Sequence, residues 1–92
     1  MKKIDEEALM ANVLVKLGID FPTVIFRPKY SEKLQRLVIF VNIGNKKIRI
    51  YRAGDCFAVG AEAYDKLQAK PCATYWDMQV YLFRIFRDWG IV

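Results

Sequence analysis

The 92-residue chain contains no histidine and a single serine, Ser31. Histidine is the side chain most often used to move protons near neutral pH, so its absence removes most general acid–base and triad schemes. A nucleophile would have to be Ser31, Thr23, Thr74, Cys56 or Cys72, served by lysine or carboxylate bases alone. The glycine-rich motifs that cradle phosphates are missing as well. Carboxylates are scattered at Asp20, Asp55, Asp65, Asp77 and Asp88, without the spacing of a metal-dependent nuclease. Two cysteines and no histidine are too few soft ligands for a zinc centre. The expectation is a non-enzymatic protein with no cofactor and no metal site.

Long hydrophobic runs are lacking too. No stretch approaches the ~18–20 apolar residues needed to span a bilayer. Met1-Lys2-Lys3 leads into Ile4-Asp5-Glu6-Glu7 instead of the apolar core of a secretory leader. A cytoplasmic protein without a membrane partner is therefore expected. Cys56 and Cys72 form no Cys-x-x-Cys motif, and they are read as two packed, reduced thiols.

What the chain does have is apolar substance: 54% hydrophobic and 14% aromatic residues. That content excludes disorder, the length implies one compact domain over residues 1–92, and the order of elements that follows makes it α+β. A first helix is expected at about Glu6–Leu17, capped by Asp5, stapled by Ile4 and Leu9, and ended by Gly18 with Ile19 folding back on Leu14. Pro22 and Pro28 bracket an expected strand at Thr23–Arg27, followed by a loop at Lys29–Lys33. The run Leu37-Val38-Ile39-Phe40-Val41 marks a second strand, Leu34–Ile43. Gly44-Asn45 predicts a two-residue hairpin turn into a third strand, Lys46–Arg52. Gly54-Asp55 is a second turn before a short fourth strand at Cys56–Val59. Two C-terminal helices are expected, Ala61–Ala69 ahead of Pro71 and Tyr75–Trp89, the latter capped by Thr74 with Asp77 and closed by Gly90. The sum is an N-terminal helix, three or four antiparallel strands, and two C-terminal helices packed on one sheet face.

The order of helix, strands and helix also occurs in double-stranded RNA-binding domains. That family opens its last helix with a glycine- and lysine-rich run, where this chain reads Gly60-Ala61-Glu62 and Thr74-Tyr75-Trp76-Asp77. No family is assigned from element order.

Charge is concentrated in the strands. Residues 21–52 carry eight lysines and arginines against Glu32 alone, a net of +7, while the segments on either side each carry −1. A turn at Gly44-Asn45 would pair Ile43 with Lys46, Val41 with Ile48, Ile39 with Ile50 and Leu37 with Arg52 on the core face. The opposite face would then carry Arg36, Phe40, Lys47, Arg49 and Tyr51. Basic side chains interleaved with aromatics can neutralise phosphates and stack on bases. The same pattern also suits an acidic protein partner, or a merely solvated sheet face with cross-strand packing. The candidate binding set is Arg36, Phe40, Lys46, Lys47, Arg49, Tyr51 and Arg52.

The last helix is apolar on two arcs. Tyr75, Met78, Leu82, Ile85, Phe86 and Trp89 form one, read as the core stripe. Trp76, Val80 and Phe83 form a second, with Arg87 beside it. Either another helix covers this second arc, or it is a contact site for a second copy or a protein partner. Two functional classes follow. One is a binding module that engages nucleic acid or a ribonucleoprotein through the basic sheet face. The other is a stoichiometric inhibitor or adaptor of the kind that phages and mobile elements direct at a host protein machine.

Overall fold

A computed structural model describes residues 2–61 and 70–91. The helix α1 (Lys2–Asp20) precedes an antiparallel meander of five strands, and the helix α2 (Tyr75–Asp88) follows it. The strands are β1 (Arg27–Ser31), β2 (Arg36–Ile43), β3 (Lys46–Ala53), β4 (Cys56–Ala61) and β5 (Lys70–Cys72), adjacent in chain order. Each is joined to the next in sequence, which keeps every pairing local.

The hairpin at Gly44-Asn45 has the expected register: Ile43 pairs with Lys46, Val41 with Ile48 and Ile39 with Ile50. Gly44 sits at φ +62, where only glycine is free of Cβ strain. Gly54, at φ +64, does the same between β3 and β4. The β1–β2 loop instead uses Ser31, whose backbone oxygen accepts from Gln35 N at 2.6 Å and whose hydroxyl accepts from Leu34 N at 3.2 Å.

Both helices cover one face of this sheet. Met10, Val13 and Leu17 of α1 and Met78, Leu82, Ile85 and Phe86 of α2 meet Ile39, Val41, Ile48, Ile50, Phe57 and Val59 in one core. The connector after α1 closes it: Phe21 lies 5.2 Å from Phe86, edge to face, and Phe26 stands 6.2 Å from Phe21. The two helices are also tied directly. The Tyr75 hydroxyl donates to Asp20 Oδ2 at 2.7 Å, and Lys16 Nζ sits 5.3 Å from the Tyr75 ring centre.

Several expectations are corrected. Among the described residues the sheet has five strands, not three or four. The first strand is Arg27–Ser31, not Thr23–Arg27, and Lys29–Ser31 belongs to it instead of to a loop. Residues Phe21 and Val24 are buried in the core as a turn, and Pro28 lies within an edge strand, where a missing N–H is tolerated. The helix α1 begins at Lys2, ahead of the expected start at Asp5. Gly18 does not end it: Phe21 N donates to Leu17 O at 2.8 Å, so the helix carries Phe21 into the core. Ile19 is 71% exposed and does not fold back on Leu14. Of the expected helix at Ala61–Ala69, Ala61 ends β4 and residues 62–69 lie outside the described residues. Lys70–Cys72 forms an edge strand that three residues containing a proline do not announce.

The ends of α2 are as expected. Thr74 Oγ1 accepts from Asp77 N at 3.2 Å. Gly90, at φ +76, lets Ile91 N reach Phe86 O and Gly90 N reach Arg87 O, a Schellman ending.

Burial, then the bond to Asp20, raises the Tyr75 hydroxyl well above its ordinary value of 10.0. The folded state therefore keeps a proton that the unfolded chain releases above pH 10, so this contribution to stability is full below that pH and falls as pH rises beyond it. Tyr75→Phe should cost about 0.5–1 kcal/mol at neutral pH. Urea melts at neutral pH and at about pH 11 should show a smaller alkaline loss for the variant than for the wild type.

Candidate functional site

Strand alternation sends Ile39, Val41, Ile48 and Ile50 to the core, so their neighbours occupy the face away from both helices. The central row on that outer face runs Arg27, Phe40, Arg49, Gly60 across β1 to β4. An aromatic ring thus stands between two arginines, with adjacent strands about 4.8 Å apart. The neighbouring row holds Lys29 and Val38, then Tyr51, Ala58 and Pro71. Arg36 and Lys47 complete the face.

Five cations therefore point outward from β1, β2 and β3: Arg27, Lys29, Arg36, Lys47 and Arg49. No carboxylate shares the face among the described strand residues. Arg27, Lys29 and Lys47 are exposed, whereas Arg49, Phe40 and Tyr51 are half-buried. Gly60 explains how Arg49 lies. A Cβ built there would meet Nη2 of Arg49 at 3.8 Å, so the guanidinium extends across β4 over a strand position without a side chain.

Arg36 is more constrained than the others. Its Nε donates to Leu34 O at 3.2 Å, its Nη1 donates to Arg52 O, and its guanidinium stands 5.9 Å from the Tyr51 ring centre. It fastens the start of β2 to the end of β3 and holds Tyr51 in place. Val38 is fully buried on this face, with Lys29 opposite it and Arg36 and Phe40 on either side along β2. Long basic stems can cover such a residue while their heads stay in water.

Two residues of the expected binding set do not join this face. Lys46 and Arg52 point to the helix side, at opposite ends of β3. Lys46 Nζ sits 5.6 Å from the Trp89 ring centre, and Arg52 stands 4.8 Å from the Phe57 ring centre while donating to Gly54 O at 3.1 Å. In their place the structure adds Arg27 and Lys29. The alternation Arg27-Pro28-Lys29 is their signal in the sequence, and it is hidden as long as Pro28 is read as a strand limit.

The second candidate surface lies on α2. Trp76, Val80 and Phe83 are 67%, 45% and 48% exposed, pointing away from the core stripe. Arg87, on the same line, is exposed as well. The ridge separates two open grooves. One, of about 490 Å³, runs beside β5 and is bordered by Asp77 and Arg84; the other, of about 410 Å³, reaches Asp20 and Phe21 at the end of α1.

The cysteines occupy different environments. Cys72 is buried on the core face, paired with Phe57, and burial pushes its thiol above the ordinary value. Cys56 pairs with Ala53 on the outer face and is half-buried, so of the two only Cys72 is packed in the core. Their side chains leave the sheet on opposite faces, which precludes bridge geometry. Among the described residues no cluster of three metal-ligating side chains occurs, and no helix is long and apolar enough to cross a membrane. No protein family, curated protein or solved structure matches the chain.

A thiol reagent added to the native protein should therefore modify Cys56 and spare Cys72. Peptide mapping after brief labelling reads this directly, and labelling of both at equal rates would contradict the placement of Cys72.

Proposed function

We propose that the outer sheet face is a nucleic-acid-binding surface of low sequence specificity. The observation that carries this reading is the row Arg27–Phe40–Arg49, flanked by Lys29 and Lys47 on a face without an outward carboxylate among the described strand residues. Exposed cations neutralise phosphates and release counterions, a contribution that does not depend on base identity. Phe40 and Tyr51 offer ring faces on which unpaired bases can stack, each stacked base contributing roughly 1–3 kcal/mol. The chemistry favours a single strand, or the unpaired part of a ribonucleoprotein, over a closed duplex. Arg36 acts here as a positioning residue for Tyr51 and needs no phosphate of its own.

A second reading, a non-enzymatic inhibitor or adaptor that binds a protein, is favoured by a different observation: the exposed Trp76, Val80 and Phe83 on α2. The two surfaces lie on opposite sides of the sheet, so one molecule can use both.

Replacing Lys47 and Arg49 together by glutamate should weaken binding to a single-stranded oligonucleotide at least tenfold at low salt. Loss of two phosphate contacts should also flatten the log–log salt slope by about 1.4. Fluorescence anisotropy across a salt series measures both. Absence of binding to any single- or double-stranded DNA or RNA at low salt would remove the proposal.

A further inference from the structure

The apolar ridge on α2 is continuous, and its spacing is that of a coiled-coil seam. Trp76, Val80, Phe83 and Arg87 follow one another at intervals of four, three and four residues. In heptad terms they alternate between the two seam positions, d and a. All four are exposed, whereas Met78, Leu82 and Ile85 on the far side of the same helix are buried. Three such side chains leave on the order of 300 Å² of apolar surface in water, within the range of the largest patch on an ordinary monomer, which is often functional.

The charges beside the seam point to the occupant. Asp77 and Arg84 are seven residues apart, so both take the same flanking heptad position, and both border the groove beside β5. The flanking helix positions on the other side hold Gln79 and the buried Phe86, neither of which is charged, and the groove there is bordered by Asp20 at the end of α1. In a parallel pair of helices each flank meets the opposite flank of its partner, where the groove offers only the carboxylate of Asp20, a like charge for Asp77. In an antiparallel pair like flanks meet, and Asp77 of each copy runs alongside Arg84 of the other. The same arrangement packs Val80 against the partner's Phe83. It also lays the partner's Arg87 over Trp76, the most exposed ring on the helix, as a cation–π contact.

We infer that α2 is the interface of a two-fold symmetric antiparallel homodimer centred between Val80 and Phe83. The patch is self-complementary in shape order and in charge, as an isologous interface must be. Its apolar centre is small beside the roughly 800 Å² per partner of a stable interface, so the rims of the two flanking grooves must take part and the dimer is a weak one that depends on concentration. Because α2 packs on the core face, dimerisation leaves both outer sheet faces uncovered and directs them away from each other. The inference rests on α2 alone and stands whether or not the sheet binds nucleic acid.

Charge reversal tests it. Asp77→Arg should dissociate the dimer by placing arginine against arginine, and Arg84→Asp should do so by placing aspartate against aspartate. The double variant D77R/R84D restores both pairs and should recover association to within a few-fold of wild type. A mixture of the two single variants should associate at least tenfold more tightly than either alone. Sedimentation equilibrium over a wide concentration range reads all four cases, and circular dichroism confirms that each variant is folded. Val80→Glu should give a monomer throughout. A wild type that stays monomeric at hundreds of micromolar would overturn the inference and assign the ridge to a different protein. A dimer indifferent to Val80→Glu, or single variants that do not associate when mixed, would overturn the antiparallel α2 pairing.

Discussion

The Gly44-Asn45 turn decides which half of the sheet is interior and which is surface. With Ile43 opposite Lys46, every second residue of β2 and β3 is committed to the same side. Ile39, Val41, Ile48 and Ile50 then fall together under the helices. A slip of one residue in one strand would turn its isoleucines and valines outward and bring arginine and lysine into the core, at a cost of several buried side chains at about 1.5–3 kcal/mol each. Glycine at φ +62 makes the two-residue connection possible without strain and so holds the register that the hydrophobic pattern demands. The basic face is the other side of that choice.

Consecutive pairing gives the fold its economy of contact. The α1 stripe covers the β2–β3 half of the sheet and α2 the β4–β5 half, with Phe21, Phe26 and Phe86 meeting where the two helices converge. Asp20 and Tyr75 join the helix ends across that seam. Since the helices share one sheet face, no described element covers the second face with its cations or the outer side of α2 with its aromatic ridge. Two surfaces of opposite character, one cationic and one apolar, thus lie on opposite sides of a thin two-layer body. Each can act without obstructing the other.

The parts of this arrangement that were legible in the sequence are those governed by local rules. A glycine-first turn between two strongly β-forming runs fixes a hairpin and its register, and Thr74 and Gly90 bound α2 because both ends are satisfied by nearby backbone groups. The parts that were not legible depend on contacts distant in sequence. Gly18 would end an isolated helix, but burial of Phe21 extends α1 past it. Arg27–Ser31 has little strand propensity and becomes a strand because β2 offers it an edge. Lys70–Cys72 is recruited in the same way by β4. The basic face was legible in its β2–β3 portion for that reason, whereas Arg27 and Lys29 were not. Lys46 and Arg52 are assigned to the other side by the hairpin parity itself, which mere membership of a basic segment does not reveal.

The central claim is that the outer face of β1, β2 and β3 is the surface that meets nucleic acid. The most direct measurement is a titration of the isotopically labelled protein with a short single-stranded oligonucleotide, followed by two-dimensional NMR. The account predicts shift changes concentrated at Arg27, Lys29, Phe40, Lys47, Arg49 and Tyr51, with the ring protons of Phe40 and Tyr51 moving upfield as bases stack, and little change along α2. Shift changes confined to α2, or no changes at low salt, would contradict it.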